Sequence, residues 1–279
     1  TEQPDEIIYM KLLKECCRPH RYSRPILGDK KTVKSIKPKQ MKLFHKNHYV
    51  GRNCTLCIAG ELPNEIYSIV NNSKLKKLKA ISKKTNISTP ITFNKGHKRE
   101  TIPRLEGARI LKAWKLPPAK EQILILGVEI AATILCEGKS SLIVKELREE
   151  KRIIESIDID LQVLEEGGLI LLDASCPQDN LTIAESEINR ILKELKNDLV
   201  TNKDLERAKK LVKNNIYFGL ELSTQISSTL GNQALWGRHQ PIFQTINDLS
   251  YWTSIRLKKL IYPLFNPENA FTLIAEPEE

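Results

Sequence analysis

The sequence contains no apolar run approaching the ~20 residues that a membrane-spanning helix requires, so neither a transmembrane segment nor a membrane partner is expected. Aromatic residues make up only 6% of the 279. The two densest basic runs, Lys30 to Lys39 and Lys74 to Lys79, contain no aromatic residue and no arginine. The net charge of +10, from 44 Lys+Arg against 34 Asp+Glu, is therefore unaccompanied by stacking platforms or forked donors for reading bases. These runs read as solvated lysine faces, and nucleic acid is not an expected partner. The six cysteines, Cys16, Cys17, Cys54, Cys57, Cys136 and Cys176, are too few to staple a chain of this length. Five lie in or beside apolar runs and read as reduced core residues, which points to a reducing compartment, the cytoplasm. The opening TEQPDEIIYMKLLKECC is acidic at its front and passes straight into a helical pattern, unlike a secretory signal. No G-x-S-x-G, phosphate-loop or dinucleotide signature occurs.

What is present is a composition of 41% hydrophobic and 28% charged residues, which excludes disorder and, at ~150 residues per domain, indicates about two domains. Ile8, Leu12 and Cys16 recur at helical spacing from Asp5 to Cys17. Pro38 sits in the first turn of a helix over Lys37 to Tyr49, with Met41, Phe44 and His48 on one face. The run NCTLCIAG, Asn53 to Gly60, reads as a buried strand, and Pro63 to Leu78 as a helix. Thr85 to Pro103 is polar and broken by Pro90, Gly96 and Pro103, the pattern of a linker. Beyond it come a strand from Arg104 to Leu116, an all-round apolar and hence buried helix from Glu121 to Cys136, and a more polar helix from Ser141 to Lys151. Strict alternation over Ile157 to Val163 marks a strand with one wet face, which Glu165-Glu-Gly-Gly168 turns into a second strand, Leu169 to Ser175. Long helices are expected over Asp179 to Val200, with Leu195 and Leu199 ending its stripe, and over Asn202 to about Leu235. Thr201 and Asp204 form a capping box for the second. A helix from Thr253 to Leu264 and a strand from Ala270 to Ala275 close the chain. This order predicts an α+β lobe, an antiparallel sheet with helices packed on one face.

The chain also repeats itself. Asn53-Cys-Thr-Leu-Cys-Ile-Ala59 resembles Asn269-Ala-Phe-Thr-Leu-Ile-Ala275 at an offset of 216 residues. The same offset carries Pro25-Ile26 onto Pro241-Ile242 and Tyr49 onto Phe265. The pattern implies two lobes of which the first is incomplete: residues 1–98 hold its closing part plus the linker, and residues 99–279 a whole second lobe. With equal lobes, about 110 residues of the first would precede Thr1.

His45 and His48 lack an accompanying Glu, and the offset places them on Ile261 and Leu264, which read as core positions. Cys54 and Cys57 are three apart in an expected strand and point to opposite faces. Neither pair is expected to hold a metal. Asp158 and Asp160 share one strand face and read as its solvated side. Gly138-Lys-Ser-Ser141 followed by Leu147-Arg148-Glu-Glu-Lys151 is, on its own, a helix start with a charged face.

That last stretch, with what surrounds it, resembles a family. Gly138-Lys-Ser-Ser-Leu-Ile-Val-Lys-Glu-Leu-Arg-Glu-Glu-Lys151 is similar to the G-x-S-S-R-L-x-x-x-L-R-E-K-x-G-L-x-Y segment in the second lobe of the insulinase, pitrilysin and mitochondrial processing peptidase family. His20-Arg-Tyr-Ser-Arg-Pro-Ile-Leu-Gly28 resembles its H-P-Y-G-R-P-x-L-G loop, Phe44 to Glu61 its helix-to-strand segment, and Thr201 to Lys209 its E-L-x-x-A-K helix start. The ordered set spans nearly the whole chain.

The resemblance implies a zinc endopeptidase of bacterial type, two similar lobes closing like a clamshell on an extended peptide substrate. In such enzymes an inverted H-x-x-E-H helix of the first lobe binds the zinc with a distal Glu, and the ion activates water. No H-x-x-E-H occurs here, and Glu2 lies downstream of the distal ligand's place, so zinc is expected in the full-length parent and not in this chain, which should be inactive alone. The resemblance also implies a second-lobe Arg and Tyr that reach the bound peptide. Arg148 matches the Arg, whereas the Tyr position is Glu155, the G-L pair is Arg152-Ile153, and the second Arg is Leu142. A carboxylate at 155 cannot donate to an oxyanion. The expected partners are peptide substrate and a second subunit, as a homodimer or a heterodimer with a related chain. The alternative is a non-catalytic partner or scaffold subunit of a two-subunit peptidase.

Overall fold

A computed structural model describes residues 3–78, 89, 91–197, 200–235, 237 and 240–278. The chain divides into two compact units: Thr1–Pro25, Thr89–Asn214 and Thr245–Glu279 form one, and Ile26–Ser88 with Asn215–Gln244 the other. The helices are α1 (Pro4–Cys16), α2 (Lys30–Ser35), α3 (Pro38–His48), α4 (Ile66–Asn72), α5 (Gln122–Cys136), α6 (Leu181–Glu194), α7 (Asn202–Gly219), α8 (Ser223–Leu235), α9 (Gln244–Asp248) and α10 (Ser254–Arg256). The strands are β1 (Gly96–Ile102), β2 (Ala108–Leu116), β3 (Ser156–Leu164), β4 (Gly167–Cys176) and β5 (Phe271–Pro277).

The first unit is built on one sheet in the order β1-β5-β2-β4-β3. All pairings are antiparallel except β1 with β5, which run parallel. The β3–β4 hairpin closes at Leu164 and Gly167 around Glu165-Glu166. Gly167 stands at φ +142, and a Cβ on Gly168 would fall 2.0 Å from the Gln162 carbonyl oxygen, which is why this turn carries two glycines. On one side of the sheet lie α5, with Ile125 to Cys136 almost wholly buried, and the apolar stripe of α6: Leu181, Ala184, Ile188, Ile191 and Leu192. Trp114 of β2 packs against Phe265 and donates through Nε1 to the Asn266 carbonyl at 2.9 Å. The other side is covered by α1, whose Ile8, Leu12 and Cys16 bury against Leu111, Ala113, Leu171, Leu273 and Ala275. The α+β class holds, with α1 as a layer additional to the expected single face. The reason is in the strands: Gly167 to Leu172 are buried without interruption, and a strand apolar on both sides needs cover on both.

Several expectations change along the chain. The second half of the supposed linker is β1, an edge strand in which only Ile102 is buried; residues 79–88 and 90 lie outside the described residues. The long helix after Asn202 breaks between Gly219 and Ser223 into α7 and α8. The helix after Asp179 ends its α-helical part at Glu194 and tightens into a 3₁₀ turn over Leu195–Asn197, and Leu199 lies outside the described residues. The capping box is formed: Asp204 N–H donates to Thr201 Oγ1 at 3.2 Å, and Thr201 N–H to Asp204 Oδ2 at 3.0 Å.

In the second unit, Asp29 caps α2 by accepting from Thr32 N–H at 2.8 Å, and α3 starts at Pro38 as expected. Val50 is its only large apolar side chain that is buried among the described residues. Met41, Phe44, Leu56, Ile58, Tyr67 and Ile69 are all exposed. The expected buried strand over Asn53 to Gly60 is not formed: a 3₁₀ turn over Gly51–Asn53 leads into unpaired chain, with Cys54 exposed. Its repeat counterpart, β5, pairs with β1 and β2. A strand exists only where neighbours accept its ladder bonds, and no described strand lies in this unit.

Candidate functional site: the Arg148 turn

The segment carrying Arg148 begins where α5 ends. Gly138, at φ +82, reverses the chain, and Arg207 satisfies two end carbonyls, donating to Glu137 O at 3.0 Å and Thr133 O at 3.4 Å. Buried Ser141 donates through Oγ to Gly138 O at 2.7 Å. The glycine and second serine of the motif thus have local structural causes.

The helix that follows widens into a π-turn over Val144–Glu150, closed by Lys151 N–H donating to Glu146 O at 2.9 Å, five residues back. Such turns are uncommon and concentrate at functional sites. Val144 and Leu147 are buried beneath it. Arg148 is turned outward, 35% exposed, and its guanidinium holds Glu149 Oε1 through Nε at 2.9 Å and Nη2 at 2.7 Å. That contact keeps the Glu149 carboxyl below its usual range. Arg152 occupies φ +55, the left-handed region that disfavours a side chain. Glu155 is exposed just ahead of β3, its N–H donating to Ser175 O at 2.9 Å. Arg148 is therefore paired with its neighbour rather than with Glu155.

An ion network fastens this turn to α6. Lys151 Nζ reaches Glu146 at 2.7 Å and Glu187 at 2.5 Å, while Arg190 contacts Glu187 at 3.1 Å, Glu194 at 2.7 Å and also Glu146. Hydrogen bonds from Lys151 first, then Arg190, hold the Glu187 carboxyl below its usual range. Each contact is exposed enough to contribute little alone; their joint effect is to fix the turn's orientation. Arg148 can donate several hydrogen bonds to a carbonyl or carboxylate, whereas ionised Glu155 can only accept.

The other candidates are dispersed. His45 stacks on Tyr49 at 4.6 Å, and His48 stacks on Phe44 at 4.0 Å with its Nδ1 2.9 Å from Phe44 O. Their repeat counterparts differ, Ile261 buried and Leu264 half-buried. Cys57 is half-buried. Among the described residues no three or more His, Cys, Asp or Glu side chains converge to hold a metal ion, and Glu2 lies outside them. Asp158 and Asp160 are exposed on β3, and the Asp160 carboxyl is pushed up by partial burial, then by Asp158 and Asp173.

Sequence reasoning passed over Lys112. It sits at the centre of β2 with a side chain only 2% exposed, and the signal was a lysine between Leu111 and Ala113 in an otherwise apolar run. No helix among the described residues is long and apolar enough to cross a membrane.

Residues 35–212 match the family described as "Peptidase M16 inactive domain", and the chain belongs to that family. It is 26% identical over 278 residues to an uncharacterized zinc protease of Bacillus subtilis, YmxG, covering 98% of this chain and 66% of the relative. An uncharacterized zinc protease of Mycobacterium leprae is 22% identical, with 95% and 60% covered. The chain thus spans 60 to 66% of the length of these relatives. Among solved structures, a Helicobacter pylori protease superposes with TM-score 0.82 at 18% identity, covering 99% of this chain and 68% of that one. The peptidase M16 inactive domain from Pseudomonas fluorescens gives 0.84 at 15%, with 99% and 66% covered.

Proposed function

We propose that this chain is the substrate-cradling part of a zinc endopeptidase that hydrolyses peptides held extended between two lobes. The observation that carries the reading is the family match across residues 35–212 in a chain without H-x-x-E-H, alongside relatives called zinc proteases. The zinc-binding helix belongs, on this reading, to polypeptide outside these 279 residues. Arg148, held outward on a braced turn, donates hydrogen bonds to the bound peptide. Exposed apolar side chains such as Phe44 and Ile58 are the surface on which the rest of the first lobe, in the same polypeptide or in a dimer partner, completes its core.

A second reading, a non-catalytic or scaffold subunit, is favoured by one specific feature: Glu155 stands where the family carries a donor, and Arg152 where it carries glycine. The test is hydrolysis of an unfolded, internally quenched peptide by the longer parent protein and by this chain. Chelator-sensitive cleavage by the parent alone supports the endopeptidase. An inactive parent that activates only on mixing with a related subunit supports the scaffold. Cleavage by the isolated chain refutes both.

A further inference from the structure

On the α6 side of the first unit, a cavity of about 400 Å³ opens beside the start of β1 and β5. That volume falls in the range of small-ligand sites. Buried Lys112 reaches it from β2, donating from Nζ to Thr272 Oγ1 at 2.9 Å and to Glu185 Oε1 at 3.4 Å, which leaves one ammonium proton for a further acceptor. Burial pulls the Lys112 ammonium below the usual lysine range, with Glu185 opposing. Glu185 is shared with His97, whose Nε2 lies 3.2 Å away. One turn along α6, Asn189 lines the same cavity and keeps Oδ1 buried with no hydrogen-bond partner among the described residues. Lys95 and Glu268 complete the wall.

Two features separate this arrangement from an ordinary buried ion pair. A lysine neutralised by Glu185 explains neither the open space in front of it nor the unpartnered oxygen, and unpaired buried polar atoms are costly enough to be rare. The wall also carries both signs: Lys95, Lys112 and His97 stand beside Glu185 and Glu268, the last bonded as well to Lys193 at 3.2 Å. A wall with cationic and anionic groups side by side matches a ligand that carries both signs better than a phosphate or a bare cation, each of which meets like charge there.

We propose that this cavity binds a small zwitterion, a free amino acid or a short peptide, with its carboxylate on Lys112 and Lys95 and its ammonium on Glu185, the Asn189 amide turning to bring its buried Oδ1 onto the same ammonium. The assignment rests on the cavity alone and stands whether or not the parent is a peptidase.

The test is calorimetric titration of the 279-residue chain with L-alanine and with alanylalanine, which tells free amino acid from short peptide by whichever binds more tightly. Saturable binding in the millimolar range or tighter is expected, weakened about tenfold when the ammonium is acetylated or the carboxylate amidated. Lys112→Met strips a partner from Glu185 and risks the fold, so Asn189→Leu and Lys95→Ala carry the test. Asn189→Leu should weaken binding about tenfold without lowering the melting temperature, since it removes an orphaned acceptor; Lys95→Ala should weaken it several-fold. No saturable heat up to roughly 20 mM, equal affinity for the blocked analogues, or binding unchanged in Asn189→Leu would overturn the proposal.

Discussion

The indole of Trp252 occupies the space in which a side chain on Gly127 would stand: a Cβ there would lie 2.3 Å from Trp252 Cζ2. Trp252 is fully buried, and the backbone of α5 approaches it so closely only because position 127 is glycine. Gly127→Ala gains helix propensity of about 1 kcal/mol yet must displace a buried ring, with overpacking costs of roughly 1–3 kcal/mol or more. Net destabilisation is expected in denaturant titration; a variant as stable as the parent sequence would show that the ring moves freely.

Arg152 holds a left-handed backbone that the family pattern gives to glycine. Arg152→Gly relieves that strain and should raise stability by roughly 0.5–1 kcal/mol, while Arg152→Ala should not. Equal stability of the two variants would mean that the position carries no strain.

Burial on α5, and secondarily Glu137, pushes the Glu129 carboxyl up to about 7. Its ordinary value is 4.5, so between these values the native state keeps a proton that the unfolded chain has released. The contribution is complete below pH 4.5, falls as pH rises through 7 and is level above, by up to about 3 kcal/mol. Urea midpoints measured from pH 4.5 to 8 should decline over that window, and Glu129→Gln should flatten the decline. A slope unchanged by the substitution assigns it to other groups.

The reciprocal bonds of Thr201 and Asp204 satisfy donors at the start of α7. Thr201→Ala should cost about 1 kcal/mol, and Thr201→Ser, which keeps the acceptor, markedly less; hydrogen exchange in the first turn of α7 reads the difference.

If Arg148 donates to a bound peptide in the parent enzyme, Arg148→Glu should raise KM more than it changes kcat or zinc content. Its outward position predicts an unchanged melting temperature. An unaltered KM would remove Arg148 from the cleft.

What was legible in the sequence follows the strength of each local pattern. The all-apolar run of α5, the alternation of β3 and the Glu-Glu-Gly-Gly turn were readable because burial imposes a period on the residues themselves. Asn53 to Gly60 was misread because a strand pattern supplies no partner by itself, and no strand among the described residues pairs with it. β1 escaped notice for the opposite reason: it has partners, but as an edge strand it buries only Ile102. Arg148 and Glu155 are singled out only by resemblance to the family segment, while the π-turn that carries Arg148 leaves no periodic trace. Lys112 was in plain view, and its neighbours across the cavity, Glu185 and Thr272, are 73 and 160 residues away.

The edge position of β1 has a consequence for how the protein behaves in concentrated solution. A rim strand offers a row of unused backbone donors and acceptors on which another chain can pair. Here four successive residues, His97, Lys98, Arg99 and Glu100, are polar or charged, with Lys98 tied to Glu15 at 3.0 Å and to Glu100 at 2.7 Å, and Arg99 to Glu276 at 3.3 Å. A second molecule docking edge to edge would have to bring like charges together and disrupt these contacts. The β1 rim is thereby guarded against sheet-to-sheet aggregation, which matters in a polypeptide whose other unit exposes so many apolar side chains.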